Sequence, residues 1–216
     1  MKNALAIALL AAAPVVLAQS PETHKHSFSD AEKWSHVFDD PERDAWQKPH
    51  EVVKALALKP AAVVADIGAG TGYFSARIAN MFPRATVYAV DVEPQMVRHL
   101  AERAKREGLK NLKAVAAKPD DARLPVKADV ILLVDVYHHI DDRERYFRKL
   151  GASLKADGRL AIIDFRLDSP EGPPKEARIA PQQVRAELAN AGYELAQEHL
   201  FLPRQYFLVF RRSEKR

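Results

Sequence analysis

"DIGAGTGYF", residues 66–74, places Gly68, Gly70 and Gly72 within five positions, directly behind the small apolar run "AAVVA" at 61–65. Glycines in such a pattern let another group approach the backbone closely and let the chain adopt positive φ at low cost. The residues before the loop, "AAVVADI" (61–67), read as a buried strand, and those behind it, 73–82, as a helix. Strand, bare turn and helix together form the corner where an open parallel sheet receives its ligand.

The chain on either side repeats this unit. "ATVYAVD" (85–91) is a strand, and 94–107 a helix closed by Gly108. "NLKAVAA" (111–117) and "ADVILLVDV" (128–136) are further strands. Residues 141–154 read as a helix capped by Asp141, and the turn "KADG" (155–158) leads into the strand "RLAIIDF" (159–165). Strands apolar on both faces and alternating with helices predict an α/β fold, a parallel sheet with helices on each side. A Pro/Gly-rich loop over 167–180 reads as a substrate lid or a plain surface connection. After it come a helix at 182–191 and two segments, "YELAQEHLF" (193–201) and "QYFLVFRR" (205–212), spaced to pair as an antiparallel hairpin. Residues 31–60 form a helical preface, with Pro41 and Pro49 at helix starts and Pro60 at a stop.

With 216 residues, 47% of them hydrophobic and 29% charged, the chain predicts one well-packed globular domain. Its net charge of +4 includes four cations in residues 211–216, so the domain proper is close to neutral and implies no nucleic-acid partner. Absence of cysteine removes disulfides, thiolate nucleophiles, iron–sulfur clusters and cysteine zinc sites. The amino end has Lys2, the apolar run "ALAIALLAAAPVVLA" (4–18), and small residues Val16 and Ala18 at the spacing a signal peptidase reads. The predicted organisation is a signal peptide (1–18) cut after Ala18, a polar tail and helical preface (19–48), the main domain (49–212) and a basic tail (213–216). His24 and His26 read as part of a solvated tail rather than a metal site. This predicts a periplasmic or secreted protein with no stable membrane association after cleavage; a cytoplasmic location is the alternative.

The glycine spacing bears on the ligand. A dinucleotide fingerprint G-x-G-x-x-G would place its third glycine at Tyr73, whereas this loop is the compact G-x-G-x-G form. Asp66 precedes it, and a carboxylate there repels a pyrophosphate but favours an ammonium or a sulfonium. S-adenosylmethionine carries both. Asp91 ends the second strand, where a carboxylate can accept hydrogen bonds from two ribose hydroxyls, in an NAD site as in an S-adenosylmethionine site.

Four stretches in order, "VADIGAGTGYFSARIA" (64–79), "VYAVDVEPQM" (87–96), "ADVILLVDVYHHIDD" (128–142) and "LKADGRLAIIDF" (154–165), resemble the motifs of class I S-adenosylmethionine-dependent methyltransferases, of the small-molecule type that includes ubiquinone and menaquinone methylases. The resemblance implies a Rossmann-like seven-stranded sheet in the order 3-2-1-4-5-7-6 with strand seven antiparallel. It implies S-adenosylmethionine as cofactor, with Gly68, Gly70 and Gly72 against its amino-acid end, Asp66 beneath them and Asp91 on the ribose. Lys118 stands where related sequences often carry an acid beside the adenine, so Asp120 or Asp121 is expected to take that role. Asp135 is expected either at the cofactor or as a cap of the next helix or a partner of a loop amide. His138 and His139 are candidate general bases facing the transferred methyl; Asp164, Trp46, Gln47 and Tyr73 are further candidates for the pocket. No metal is required. The Asp/Asn-Pro-Pro-Tyr/Phe signature of amino-methylating nucleic-acid enzymes is absent, since "DVYHH" stands there, which leaves a small-molecule acceptor. The alternatives are an exported S-adenosylmethionine-binding module without turnover and an NAD-dependent oxidoreductase.

Overall fold

The computed structural model describes residues 31–213; the expected signal peptide, the polar tail before Ala31 and residues 214–216 lie outside the described residues. Seven strands form one sheet: β1 (Val63–Ile67), β2 (Thr86–Asp91), β3 (Leu112–Ala116), β4 (Ala128–Val134), β5 (Leu154–Phe165), β6 (Tyr193–His199) and β7 (Gln205–Arg212). Their order is β3-β2-β1-β4-β5-β7-β6. β7 runs antiparallel to both neighbours, and the pairs from β3 to β5 are parallel. This is the expected topology.

Apolar residues on both faces of each central strand dictate helices on both sides. One layer holds α3 (Pro49–Ala55), α4 (Tyr73–Met81) and α5 (Pro94–Arg106), packed on Val64, Val87, Val130, Leu132 and Ala161. The other holds α6 (Arg143–Leu150) and α7 (Pro181–Asn190), packed on Ala65, Val90, Ile131, Leu133 and Ile162. Leu132 and Leu133 are adjacent, face opposite layers and are both fully buried; each such burial contributes about 1.5–3 kcal/mol. Ahead of the sheet lie two short helices, α1 (Ala31–Phe38) and α2 (Arg43–Gln47). No helix among the described residues is long and apolar enough to cross a membrane.

The helix expected over 141–154 is shorter, and its cap is Asp142, whose side chain accepts from Arg145 N at 3.3 Å. Sequence cannot separate two adjacent aspartates; the register of the first turn does. After Leu150 the chain makes a 3-10 turn (Gly151–Ser153) and enters β5 at Leu154. "KADG" is not a turn ahead of the strand but a bulge within it: Ala128 pairs with Leu154 and Val130 with Arg159, so β5 carries extra residues opposite β4.

Candidate active site

Parallel strands bring the ends of β1, β2, β4 and β5 to one edge, and the loop after β1 lies there. Gly68, Gly70 and Gly72 have φ of 69°, 55° and 91°, the left-handed region that an L side chain occupies only under strain. Gly68 N and Ala69 N donate to Val90 O at 2.8 and 3.0 Å, and Gly70 N donates to Asp91 Oδ2 at 2.8 Å, tying the loop to the end of β2. The groups that approach the glycines come from the chain itself. A Cβ on Gly68 would lie 2.3 Å from Val136 Cγ2, one on Gly70 3.3 Å from Phe38 Cδ2, and one on Gly72 2.8 Å from Leu100 Cδ2. Thr71 Oγ1, in the same loop, is buried with no protein partner.

Asp66 lies beneath the loop, 3% exposed, and accepts from Ser75 Oγ of α4 at 2.6 Å. Burial pushes its pKa up to about 7, more than the Ser75 hydrogen bonds lower it; the Asp91 charge raises it further and Arg43 lowers it. The ordinary value is 3.8, so the folded state holds a proton that the unfolded chain releases. Stability from this group is complete below about pH 4 and is lost as pH rises to about 7. Asp66→Asn is therefore expected to leave stability nearly unchanged near pH 4 and to raise it at pH 8, on the order of a few kcal/mol for a full shift. Urea unfolding at the two pH values checks this, and an effect equal at both would contradict it.

Asp91, 7% exposed, is raised by burial and lowered by the amides of Glu93 and Gly70, with a net upward shift. Each oxygen accepts one of those amides, Oδ1 from Glu93 N at 2.9 Å and Oδ2 from Gly70 N, which leaves lone-pair capacity on both for ligand hydroxyls. Asp120 and Asp121 occupy a turn that begins beside Asp91, where Ala117 N donates to Asp91 O. Asp121 caps its own turn through Arg123 N at 2.8 Å, and Lys149 of α6 lies 3.1 Å from Asp121 and 4.0 Å from Asp120. In this turn Lys149 lies closer to Asp121 than to Asp120, and both carboxylates keep part of their surface exposed.

At the tip of β4, Asp135 has φ of 59° and serves a buried polar network. It accepts from Gln205 Nε2 at 2.5 Å and Gln47 Nε2 at 3.1 Å, and Arg43 lies at 3.7 Å. Gln47 also donates to Gln205 Oε1 at 3.2 Å and accepts from Arg43 Nε at 2.6 Å. Both its oxygens hold side-chain donors of the network, and it neither caps the next helix nor accepts from a loop amide in the bonds described. Burial and the Asp164 charge raise its pKa to about 6 against the pull of Arg43.

The next residues form a 3-10 turn, Tyr137–His139. Tyr137 anchors it: fully buried, it donates to Glu187 Oε2 at 2.5 Å, and Arg143 binds the same carboxylate at 2.6 and 2.9 Å. Against the cost of burial, these bonds hold Glu187 at a pKa of about 2. The turn separates the two histidines. His138 places Nδ1 2.9 Å from Asp164 at the end of β5, and its backbone N donates to Asp164 Oδ2 at 3.2 Å. His139 is exposed, its ring 4.1 Å from that of His138. Burial disfavours the imidazolium of His138, but the hydrogen bond and charge of Asp164, with Asp135 adding to them, outweigh it and raise the pKa above 6.5. Asp164, 1% exposed, is itself held by Phe165 N at 2.8 Å.

Gln47 is fully buried in the network above, Tyr73 is buried with its hydroxyl on Asp44, and Trp46 packs against Phe165 with ring centroids 5.7 Å apart. The 167–180 loop is closed on itself by Arg178, which donates to Pro173 O at 2.8 Å and Ser169 O at 2.6 Å. Arg43, Gln205, Phe38 and Val136 were not foreseen. The contacts that bring them to the site, Arg43 and Gln205 with Asp135, Phe38 with Gly70 and Val136 with Gly68, join residues tens of positions apart, and no local pattern marks them. Among the described residues no group of three or more histidine, aspartate or glutamate side chains could hold a metal ion.

The sequence model of a methyltransferase domain matches residues 65–160. A malonyl-(acyl-carrier protein) O-methyltransferase of Acetivibrio thermocellus is 28% identical over 102 residues, 47% of this chain and 35% of that protein. The mitomycin biosynthesis 6-O-methyltransferase of Streptomyces lavendulae is 30% identical over 122 residues, 55% of this chain and 34% of that protein. The match therefore spans about a third of each of these relatives. A solved S-adenosylmethionine-dependent methyltransferase from Aquifex aeolicus is 26% identical, covering 86% of this chain and 98% of its own, with a TM-score of 0.77. The sheet order, the glycine loop and these likenesses agree: residues 65–160 match a methyltransferase domain, and the described residues have the fold of an S-adenosylmethionine-dependent methyltransferase.

Proposed function

We propose that the protein methylates a hydroxyl group of a small molecule, with His138 as general base and Asp164 as the residue that positions it. The observation that carries this reading is the His138–Asp164 pair, 2.9 Å apart where the neighbouring strands β4 and β5 end, β4 lying next to the strand that leads into the glycine loop. With Asp164 holding Nδ1–H, His138 presents Nε2 as a proton acceptor, the arrangement that fixes one tautomer of an imidazole base. The O-methyltransferase names of the relatives support oxygen as the acceptor atom. The resemblance to ubiquinone and menaquinone methylases supports a small-molecule acceptor.

The residues present fit the cofactor. Thr71 Oγ1 is a buried hydroxyl that needs a partner, Asp91 has acceptor capacity on both oxygens, and the loop backbone is bare. We assign Asp91 to the ribose, and Gly68, Gly70 and Gly72 with Thr71 to the amino-acid end, above Asp66. When bound, S-adenosylmethionine supplies an activated methyl group for in-line displacement. Asp91→Asn keeps an acceptor for Gly70 N but removes the charge facing the ribose. It is expected to weaken S-adenosylhomocysteine binding by about 1–3 kcal/mol; calorimetry showing unchanged affinity would contradict the assignment.

The direct test of turnover is incubation with methyl-labelled S-adenosylmethionine and a set of phenols, alcohols and carboxylic acids, followed by mass analysis. Label in a methyl ether or ester is expected. Binding without any transfer, to that set or to a cell extract, would favour the exported binding module. Export itself is part of the proposal and rests on residues 1–18; terminal sequencing from the native host should give Gln19, and an intact Met1 in a cytoplasmic fraction would refute it.

A further inference from the structure

Tyr206, near the start of β7, is 5% exposed, and its hydroxyl is buried with no hydrogen-bond partner among the described residues. A buried hydroxyl left unbonded destabilises the fold, so its presence calls for a reason other than stability. Its place in the sheet supplies one. In the antiparallel register Tyr206 lies directly opposite Asp164, and side chains so opposed share a face of the sheet, with Cβ atoms about 4.5–5.5 Å apart. Asp164 is the residue that holds His138 Nδ1. Gln205, one position earlier, alternates to the other face, where Asp135 and Gln47 hold it.

The carboxylates on the Tyr206 face are already filled. Asp164 accepts two bonds on each oxygen, from His138 Nδ1 and Phe165 N on Oδ1 and from His138 Nδ1 and N on Oδ2. Glu187, in the helix packed over this layer, likewise accepts two on each oxygen, from Tyr137, Arg143 and Gln183. That occupies the roughly four lone-pair positions of a carboxylate, and rotating the Tyr206 hydroxyl does not give it an acceptor there. We propose that Tyr206 is a specificity-determining residue of the acceptor site: its hydroxyl donates to a second oxygen of the acceptor, adjacent to the hydroxyl that is methylated. The acceptor class is then a 1,2-dioxygenated molecule, a catechol, an ortho-hydroxycarbonyl compound or a 2-hydroxy acid.

Chemistry places the bond on the second oxygen. In the transfer the O–C bond forms as the S–C bond breaks, sulfur leaves as a neutral sulfide and the hydroxyl proton goes to His138 Nε2. The attacking oxygen gives up electron density in this step, so a donor bound to it would favour the ground state over the transition state. A donor on the neighbouring oxygen fixes the reacting hydroxyl against the base without that cost. Tyr206 is fitted to donate, because burial first, and then the charge of Asp164 with Tyr137 and Asp135 adding to it, push its pKa up against the pull of Arg143 and keep the hydroxyl protonated. The side chains of His138 and Asp164 are themselves only 5% and 2% exposed, so Tyr206 is no more enclosed than the pair the acceptor must reach.

The inference rests on His138 being the base. The test is steady-state methyl transfer by the full chain, by Tyr206→Phe and by His138→Gln to catechol, salicylate and lactate and to phenol and benzyl alcohol, with urea unfolding of each protein. The unchanged protein should prefer a 1,2-dioxygenated acceptor. In Tyr206→Phe the ratio of kcat/KM for that acceptor to kcat/KM for its mono-oxygenated counterpart should fall about 10- to 100-fold, while the urea midpoint stays the same or rises, since an unbonded hydroxyl has been removed. A ratio equal to that of the unchanged protein, or a lower midpoint as the sole effect, would give the hydroxyl a structural role and overturn the inference. Methylation confined to the mono-oxygenated compounds would overturn it as well. His138→Gln separates the two failures: ordinary turnover in that variant defeats the base and this inference together, and so does the absence of transfer to every compound of the set, whereas a disabled His138→Gln beside an unaltered ratio in Tyr206→Phe defeats the inference alone.

Discussion

Gly68→Ala is expected to lower stability by about 2–5 kcal/mol: about 1–2 for an L side chain at positive φ and about 1–3 for overpacking. Its new Cβ would stand 2.3 Å from Val136 Cγ2 at φ 69°. Val136 is β-branched and stiff at χ1, so it yields little. Pairing the change with Val136→Ala should recover the packing part and leave the conformational part, which a double-variant cycle separates. The measurement is the urea midpoint; a midpoint equal to that of the unchanged protein would mean that the loop does not hold this conformation. The result matters for function because Val136 directly follows Asp135 and precedes the turn bearing His138. Crowding at Gly68 would push the β4 tip, and His138 with it, away from the loop.

His138→Gln should lower kcat by about 10²- to 10⁴-fold, the usual contribution of a positioned base, while S-adenosylhomocysteine binding stays close to that of the unchanged protein. As the proposed base, His138 would work as the neutral imidazole, and Asp164 raises its pKa above 6.5. The rate should therefore rise with pH through an inflection above 6.5. Asp164→Asn removes the carboxylate that favours the imidazolium and leaves the opposing effect of burial, so the inflection should move to lower pH as the maximal rate falls. A purely structural Asp164 would change stability without moving the inflection. A His138→Gln enzyme with ordinary turnover would reassign the proton transfer.

Much of this architecture was legible in the sequence, for identifiable reasons. Strands such as "VILLV" at 130–134 bury both faces, and a two-sided apolar run between helices has few other solutions than a parallel sheet. The order of the strands came from the likeness of the four motifs, because periodicity says nothing about which strand lies beside which. Asp66 and Asp91 were marked by their position at strand ends. The choice between His138 and His139 was not legible, since it depends on the 3-10 turn that sends one ring to Asp164 and leaves the other exposed. The pairing of Asp121 with Lys149 was not legible, since Lys149 lies on a helix that follows a further strand. The network of Arg43, Gln47, Asp135 and Gln205 joins residues up to 158 positions apart, and only folding brings them together. The bare glycine loop posed the right question, but part of its answer was internal: the groups filling the space beside it are Val136, Phe38 and Leu100.

The most direct test of the central claim is calorimetric titration of the purified protein with S-adenosylhomocysteine and, separately, with NADH. Saturable binding of S-adenosylhomocysteine at one site per chain, with no heat from NADH, is the predicted result. Heat from NADH and none from S-adenosylhomocysteine would contradict the account of the loop, of Asp91 and of the chemistry built on them.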